Sequence, residues 1–379
     1  MDKNELEKLI STAPAPHIPE LLPLDFFKLI TPEIMQLISE ANNAIGKYSG
    51  FLSSIPNPSI LLAPITTQEA VLSSKLEGTH ATIEDIFNHE AGNATEIQDD
   101  EIKEILNYRK ALVYAVNNIT PADKLHEESS KSPLTVKIIK SMHKILLDNV
   151  RGSTKHPGHF KVNQNYIGGT GHISFTPLPP LLTEQYMSNL EVYIHKDELD
   201  TLTQAAIIHA QFEMIHPFED GNGRIGRLMI PLFLYYRSRI PLPIFYLSSY
   251  FNADKDIYIA KLANISKNKS WQEWITYFLT GVTQQADINV KKANAILLLY
   301  ENYKANAKEI KSYRFIDFLD FIFEHPIFTT NSAIEELQVS RQTCSSIFNK
   351  MEKLGMISSR VVGNKKTYIF DKLLFIVDK

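Results

Sequence analysis

The stretch HPFEDGNGRIGR, residues 216–227, lies between two apolar segments and decides how the chain is interpreted. The preceding segment, AAIIHAQFEMI, has apolar residues at helical spacing and leads into the His216-Pro217 step. Because proline disfavours helical backbone in the residue before it, a helix is predicted to end there. The following segment, RIGRLMIPLFLYYRSR, again has a helical period. The glycine-rich stretch is therefore predicted to be a loop that joins two helices.

The composition of this loop predicts an anion site. Small residues at the start of a helix, here Gly221, Asn222 and Gly223, expose backbone N–H groups to an anion, and the helix dipole adds partial positive charge. Arg224 and Arg227 add donors that stay charged at any relevant pH. We expect an anion cradle, with phosphate as the favoured ligand.

Two other readings of the glycines fail. The run GNGRIG satisfies G-x-G-x-x-G, but that dinucleotide fingerprint needs a strand before it and an acidic residue roughly 20 positions later. Here a helix precedes the run, and no acidic residue occurs between Asp220 and Asp254. A calcium loop lacks its closing glutamate. A solvated turn with a capping aspartate is the structural alternative; the paired arginines and the histidine at the loop entrance favour a site.

Composition predicts a globular cytoplasmic protein. The 379 residues, 44% of them hydrophobic, suffice for two or three domains. A net charge of −4 argues against extensive coating of nucleic acid or of an anionic membrane. The single cysteine, Cys344, excludes an intramolecular disulfide. The N-terminal MDKNELEKLI lacks a signal-peptide core, and no apolar run is long enough to span a membrane, so no membrane partner is expected.

Helical periodicity dominates the chain, so the fold is predicted to be mainly α. A proline-rich region occupies residues 1 to about 60, and paired glycines between β-prone pieces in residues 151–180 predict a hairpin-like flap. The helices are predicted over residues 33–51, 67–76, 100–118, 134–149, 180–195, 202–215, 224–237, about 254–264, and from 270 into the 300s.

The loop resembles a known family at every defining position. HPFEDGNGRIGR matches H-x-F-x-D/E-G-N-G-R-x-x-R, the signature of the Fic-domain family of adenylyltransferases. The resemblance implies a Fic-type helical core with a β-hairpin flap and a C-terminal winged helix-turn-helix. It divides the chain into an N-terminal Fic-associated region (1–110), a catalytic core (111–300) and a winged helix (305–379). It also implies transfer of AMP from ATP to a Tyr, Thr or Ser hydroxyl of a protein, with Mg²⁺.

The resemblance assigns roles within the loop. His216 would be the general base, for which an unperturbed pKa near 6.5 is suited, and Asp220 would hold Mg²⁺ through its carboxylate. A buried structural histidine and an N-cap are the respective alternatives. The nucleotide-binding residues implied by the resemblance are Glu77, Gly221, Asn222, Gly223, Arg224, Ile225, Gly226 and Arg227.

Gly223 bears on the reaction class. Kinase-like relatives replace this glycine by lysine and bind the nucleotide reversed, and phosphocholine-transferring members also exist. The glycine favours AMP transfer. Relatives that remove AMP use the same loop, so an AMP-removing enzyme remains an alternative.

A second motif, SSKLEG at residues 73–78, predicts the end of a helix. The helix is expected to begin at Thr67 after a capping box of Thr66 and Glu69, and to stop at Gly78. An exposed glutamate is one interpretation of Glu77. The segment also resembles the family's inhibitory S/T-x-x-x-E-G/N pattern, which implies that Glu77 pairs with Arg227 and inhibits the enzyme.

The flap, GHFKVNQNYIGG, resembles the segment that holds a target peptide by strand addition, although Lys161 stands where many relatives have arginine. A hairpin that only covers the core is the alternative.

The C-terminal sequence from about Ser312 predicts a winged helix, with Ser340 as the N-cap of its recognition-type helix. DNA binding and protein docking stay open, as does a homodimer. A winged-helix transcription regulator whose Fic core senses nucleotide is therefore the alternative function. The basic residues expected to meet phosphate are Arg341, Lys350, Lys353, Lys365 and Lys366.

Overall fold

The computed structural model describes residues 10–55, 57–124, 131–169, 172–362 and 365–378, and it is mainly helical, as predicted. The helices are α1 (Phe26–Leu29), α2 (Pro32–Ser53), α3 (Ser59–Leu76), α4 (Ile83–Glu90), α5 (Asp99–Asn118), α6 (Val136–Leu146), α7 (Thr183–His195), α8 (Thr201–Ile215), α9 (Asn222–Tyr236), α10 (Ser248–Ala253), α11 (Lys255–Asn268), α12 (Trp271–Lys304), α13 (Ala307–Ile310), α14 (Phe315–Glu324), α15 (Thr330–Leu337), α16 (Arg341–Lys353) and α17 (Asp371–Asp378). The strands are β1 (Ile167–Gly169), β2 (His172–Phe175), β3 (Ile327–Thr329), β4 (Ser358–Val362) and β5 (Lys365–Ile369).

The described chain forms two compact units. One comprises the described residues up to Gly50 together with Lys110–Ala286, and the other comprises Phe51–Arg109 together with the described residues from Asp287 onward. Among the described helices, none combines the length and the apolarity needed to cross a bilayer.

Helix α8 is the centre of the first unit. All of its 15 residues except Thr201 and Glu213 are buried, because α7 and α9 pack along it and Trp274 donates its indole N–H to the Ala206 carbonyl at 2.9 Å. A helix that is buried on nearly all sides forms part of a core. Helices α8 and α9 together place their connecting loop against this core. The predicted flap is also present: β1 and β2 pair antiparallel, with Ile167 opposite Phe175. Residues 170 and 171, between the two strands in sequence, lie outside the described residues.

The second unit combines an N-terminal helix pair with the C-terminal elements. Helices α14 and α17 pack on α3, and α4 packs on β3. Strands β3, β5 and β4 form an antiparallel sheet in that spatial order. Ser340 caps α16 as predicted, with its side chain accepting the Thr343 N–H at 3.1 Å.

The predicted capping box of Thr66 and Glu69 is wrong. Helix α3 begins eight residues before Thr67, at Ser59, so Thr66 lies in its interior. Pro64 is inside the helix and removes one backbone donor, but the apolar residues before it, such as Ile60 and Leu61, are buried. Burial of the apolar residues before Pro64 therefore stabilises the first turns of the helix, although the local sequence predicts a start at Thr67.

Two further helices differ from expectation. The helix expected from Leu134 is shorter, because Thr135 caps it by accepting the Ile138 N–H. Helix α4 was not expected at all, although its start carries a reciprocal capping box between Thr82 and Asp85.

Candidate active site

The loop between α8 and α9 has left-handed backbone at both ends. His216 caps α8 with φ 49° and donates its N–H to the Phe212 carbonyl at 2.8 Å. Gly221 precedes α9 with φ 75° and contributes no side-chain cap. Left-handed backbone is unusual for a histidine, so the surrounding contacts must impose it. The turn directs the half-buried His216 ring towards Glu213, with 3.7 Å between its Nδ1 and the nearer carboxylate oxygen.

Two asparagines hold the loop by its main chain. Asn222 accepts the Phe218 N–H at 2.8 Å and donates to the Phe218 carbonyl at 2.7 Å. Asn165, just before β1, donates to the carbonyls of Phe218 at 2.9 Å and His216 at 3.3 Å. The Asn222 side chain is thus occupied within the loop. What Asn222 and Gly223 present at the start of α9 is their backbone.

A buried lysine supports the same segment. Lys161 donates from Nζ to the Ile215 carbonyl and to Asn165 Oδ1, each at 3.0 Å. Its side chain has little access to solvent, and this burial lowers its pKa to about 7. The residue that departs from the family's usual arginine therefore serves to hold the loop entrance.

His143 on α6 locks the loop from the other side. Its Nδ1 accepts the Gly158 N–H at 2.8 Å, so its Nε2 carries the proton and donates to the Asp220 carbonyl at 2.9 Å. Its ring stacks on Phe218 with 3.8 Å between centroids, and Phe218 is fully buried as the packing anchor of the loop. Burial, with a smaller contribution from the nearby Arg224, lowers the pKa of His143 to about 4. The ring is a neutral structural element at physiological pH.

Asp220 is the more exposed of the two acids in the loop, and its carboxylate is partly exposed. Its Oδ1 accepts the Gly221 N–H at 2.6 Å and lies 3.7 Å from the buried Arg224 guanidinium. Gly152 stands beside the other carboxylate oxygen, and a Cβ there would lie 2.8 Å from Oδ2. A hard, partly exposed carboxylate whose second oxygen is kept clear by a glycine fits a Mg²⁺ ligand.

The later residues of the motif lie in the α8–α9 interface. Arg224, Ile225 and Arg227 are all buried. A Cβ at Gly226 would lie 2.2 Å from a Glu213 carboxylate oxygen, so the glycine permits the close crossing of the two helices. The Gly226 carbonyl accepts from Nδ1 of the buried His209 at 3.0 Å. The structure therefore gives Ile225 and Gly226 packing contacts, and it places the two arginines at the base of the loop.

Glu77 lies in the other compact unit. It caps the C-terminus of α3, its side chain is exposed, and Gly78 follows with φ +93°, which confirms the predicted helix stop. The described structure therefore places residues 216–221 in the loop between α8 and α9, residues 222–227 in the first turns of α9, and Glu77 at a helix end.

Comparison with known proteins agrees with this architecture. Family models match in three places: the Fic/DOC family N-terminal region over residues 35–117, the Fic/DOC family over 133–234, and the C-terminal domain of SoFic-like protein adenylyltransferases over 299–373. The chain contains Fic/DOC family domains. The loop of residues 216–227 falls inside the Fic/DOC match.

Similar curated proteins carry adenylyltransferase names. Protein adenylyltransferase fic-1 of Caenorhabditis elegans is 26% identical over 171 residues, which is 44% of this chain and 30% of that protein. A probable protein adenylyltransferase of Aquifex aeolicus is 24% identical over 44% of this chain and 47% of its own length. Protein adenylyltransferase Fic of Drosophila melanogaster is 32% identical over 35% of this chain and 24% of its own. The matched part thus spans less than half the length of these relatives.

Solved structures show the same fold. A Fic family protein from Desulfovibrio desulfuricans has a TM-score of 0.58 and 18% identity over 90% of this chain and 96% of its own. A Fic domain containing signalling protein from Bacteroides thetaiotaomicron has a TM-score of 0.51 and 21% identity over 68% of this chain and 95% of its own.

Sequence reasoning missed several residues of this Fic site. His143, Gly152 and Glu213 contact the loop but belong to none of the motifs that were read. The sequence signal available for Gly152 and Gly158 was their glycine identity in an irregular segment; both have positive φ. Nothing local marked His143, whose partners are 15 and 77 positions away.

Proposed function

We propose that this Fic protein transfers AMP from ATP to Tyr, Thr or Ser hydroxyls of target proteins and of itself. The observation that carries the proposal is the loop of residues 216–227. It combines a histidine held in left-handed backbone at the end of α8, a partly exposed carboxylate at Asp220 and a start of α9 that has no side-chain cap. The proposed base, metal ligand and anion site lie between the end of α8 and the start of α9, and buried contacts fix this segment. Phosphoryl transfer requires such fixed positions, because most of its catalysis comes from orientation and electrostatic stabilisation.

His216 acts as the general base in this proposal. Its Nδ1 faces Glu213 at 3.7 Å, and this leaves Nε2 for the target hydroxyl. The proton moves to Nε2, the hydroxyl oxygen forms a bond to the α-phosphorus of ATP, and the bond from that phosphorus to the bridging oxygen breaks. Pyrophosphate leaves with that electron pair.

The phosphates would be held by the start of α9 and by the arginines. The backbone of Gly221, Asn222 and Gly223 would face the anion, the Gly221 N–H being donated to Asp220 Oδ1 in this structure, and Arg224 and Arg227 would balance the charge of the leaving group. Asp220 would hold Mg²⁺, which neutralises phosphate charge when bound. Gly152 would support metal binding indirectly, because a side chain at this position would displace the Asp220 carboxylate.

We further propose that Glu77 inhibits this reaction by competing with nucleotide for Arg227, as the family pattern implies. The flap, β1 and β2, would hold the target by strand addition, and the C-terminal elements would form a winged helix. The proposed functional division remains 1–110, 111–300 and 305–379, with a cytoplasmic site of action.

The test is incubation of wild type, His216→Ala and Asp220→Ala with α-labelled ATP and a cell lysate. We expect His216→Ala to abolish labelling while nucleotide binding, measured by calorimetry, stays close to wild type, since the base does not touch the phosphates. Asp220→Ala should lose the metal-dependent part of the activity. Wild-type labelling by the His216 variant would remove the histidine from the chemistry, and release of AMP from pre-labelled protein would assign the reverse reaction.

Inhibition is tested separately. Glu77→Gly should raise labelling well above wild type, and Glu77→Gly with Arg227→Ala should be nearly inactive, because the same arginine is then needed for ATP. Unchanged or lower labelling by the single variant would return Glu77 to an ordinary helix-end residue.

A further inference from the structure

The hairpin of β4 and β5 is bound to the chain's own N-terminal region. Arg360 donates to Glu84 at 2.8 Å, and Lys365 donates to the Gly92 carbonyl at 3.2 Å. Thr367 on β5 donates to Oδ1 of Asn93, in the loop that follows α4, at 3.1 Å, and both side chains are buried. Asn93 in turn donates to Asn88 Oδ1 at 3.0 Å, so the contact continues into α4. Three side chains of the hairpin therefore donate hydrogen bonds to residues in the segment 84–93.

Three of the other four basic residues expected to meet phosphate are also occupied, whereas Lys353 is exposed. Lys366 donates to Glu352 at 2.7 Å, Lys350 donates to the Ile310 carbonyl at 2.6 Å, and Arg341 donates to Asn331 at 2.6 Å. A phosphate backbone would have to displace these partners, and each displaced acceptor would lose its bond. Apart from Lys353, the cations of the hairpin and of the recognition-type helix that were expected to meet phosphate are thus bonded inside the unit.

The apolar contacts run in the same direction. Helix α14, FIDFLDFIFE, buries six of its seven aromatic and aliphatic residues, all but Ile316, and it packs on α3. Helix α17 packs on α3 as well, and Lys292 ties the two by donating to Gln68 at 2.7 Å and to the Val377 carbonyl at 2.8 Å. The core of the second unit is therefore built jointly from residues 59–93 and the C-terminal elements.

We propose that the C-terminal block, residues 312–378, is a protein-docking module whose partner is this chain's own segment 59–93, and that it sets the stability of α3 and hence of Glu77 at its end. A DNA-binding surface would need the β4–β5 hairpin, which is bound to residues 84–93 in this structure. A protein that competes for the same hairpin would loosen α3. The effect on AMP transfer rests on the proposed function, whereas the docking itself does not.

The first experiment measures hydrogen exchange in the full-length protein. Thr367→Val keeps the shape of the side chain but leaves the buried Asn93 oxygen without its donor, which should raise the opening equilibrium roughly tenfold. We expect faster exchange in peptides covering residues 60–76 as well as 83–93. The matched control is Thr280→Val on α12 in the other unit, where exchange in both peptides should match wild type. Unchanged exchange in residues 60–76 would overturn the coupling.

A charge exchange gives an independent variant. Arg360→Glu places like charges at Glu84 and should also speed exchange, by less than about fivefold because the pair is half exposed. Adding Glu84→Arg should restore the wild-type rate. Failure of the double variant to restore it would argue against the docking contact.

Two further readouts separate the alternatives. A mixed-sequence DNA duplex should show no binding that depends on the hairpin; tight binding abolished by Lys365→Glu with Lys366→Glu would overturn the proposal. Thr367→Val should also raise labelling from ATP. Faster exchange without increased labelling would support the docking and reject inhibition through Glu77, so the two ideas fail separately.

Discussion

Low pH should reduce the free energy of unfolding of the first compact unit through protonation of His143. The expected reduction follows from the lowered pKa of this residue. The neutral ring accepts from Gly158 at Nδ1, so protonation would place a second donor against that N–H group. The pKa of His143 is lowered by burial from 6.5 to about 4. Between these values the unfolded chain binds more protons, so stability falls as pH falls. At pH 5 the loss is about 2 kcal/mol, and below pH 4 it approaches about 3 kcal/mol.

The assay can be confined to this unit. Both tryptophans of the chain, Trp271 and Trp274, lie within it, so their fluorescence during urea unfolding reports its stability. Wild type and His143→Gln are compared at pH 7.5 and pH 5. The glutamine removes the titrating group, so the variant should lose about 2 kcal/mol less than wild type between the two pH values. Burial also lowers the pKa of His209, but both proteins share that contribution. Equal losses in wild type and variant would refute the assignment of the acid sensitivity to His143.

Three substitutions test the other supports of the loop, with Gly46→Ala as a common control because a Cβ there meets nothing within 4 Å. Gly152→Ala adds a Cβ 2.8 Å from Asp220 at φ +89° and should reduce metal-dependent labelling from ATP by about tenfold to a hundredfold; normal labelling would show that the carboxylate need not stay where it is. Gly226→Ala places its Cβ 2.2 Å from Glu213 and should lower the free energy of unfolding by about 1–3 kcal/mol, measured by tryptophan fluorescence, and an unchanged urea midpoint would contradict close crossing of α8 and α9. Lys161→Met should cost about 1–3 kcal/mol by stranding the Ile215 carbonyl. Because the pKa of Lys161 is lowered from 10.5 to about 7, wild type should gain stability as pH rises through this interval, and the methionine variant should lack that gain.

The sequence by itself determined the features that depend on neighbouring residues. The His216-Pro217 step ended α8, Gly78 ended α3, and Ser340 capped α16, because proline, glycine and a capping hydroxyl each act on the backbone within a few positions. The motif of residues 216–227 was readable for the same reason. Its chemical groups follow one another along a single loop, so their proximity needs no knowledge of the fold.

Tertiary structure decided whatever depends on distant residues. His143 reaches Asp220 across 77 positions, and Thr367 reaches Asn93 across 274. Burial also extended α3 backwards past Pro64 to Ser59, against the local signal at Thr66. In each case the free energy comes from apolar area removed from water and from hydrogen bonds that satisfy the buried polar groups. Summed over a packed segment, these contributions exceed the few tenths of a kcal/mol to about 1 kcal/mol that local propensities supply. The motif therefore indicated which residues carry the chemistry, and the packing around it determined which residues hold them in place.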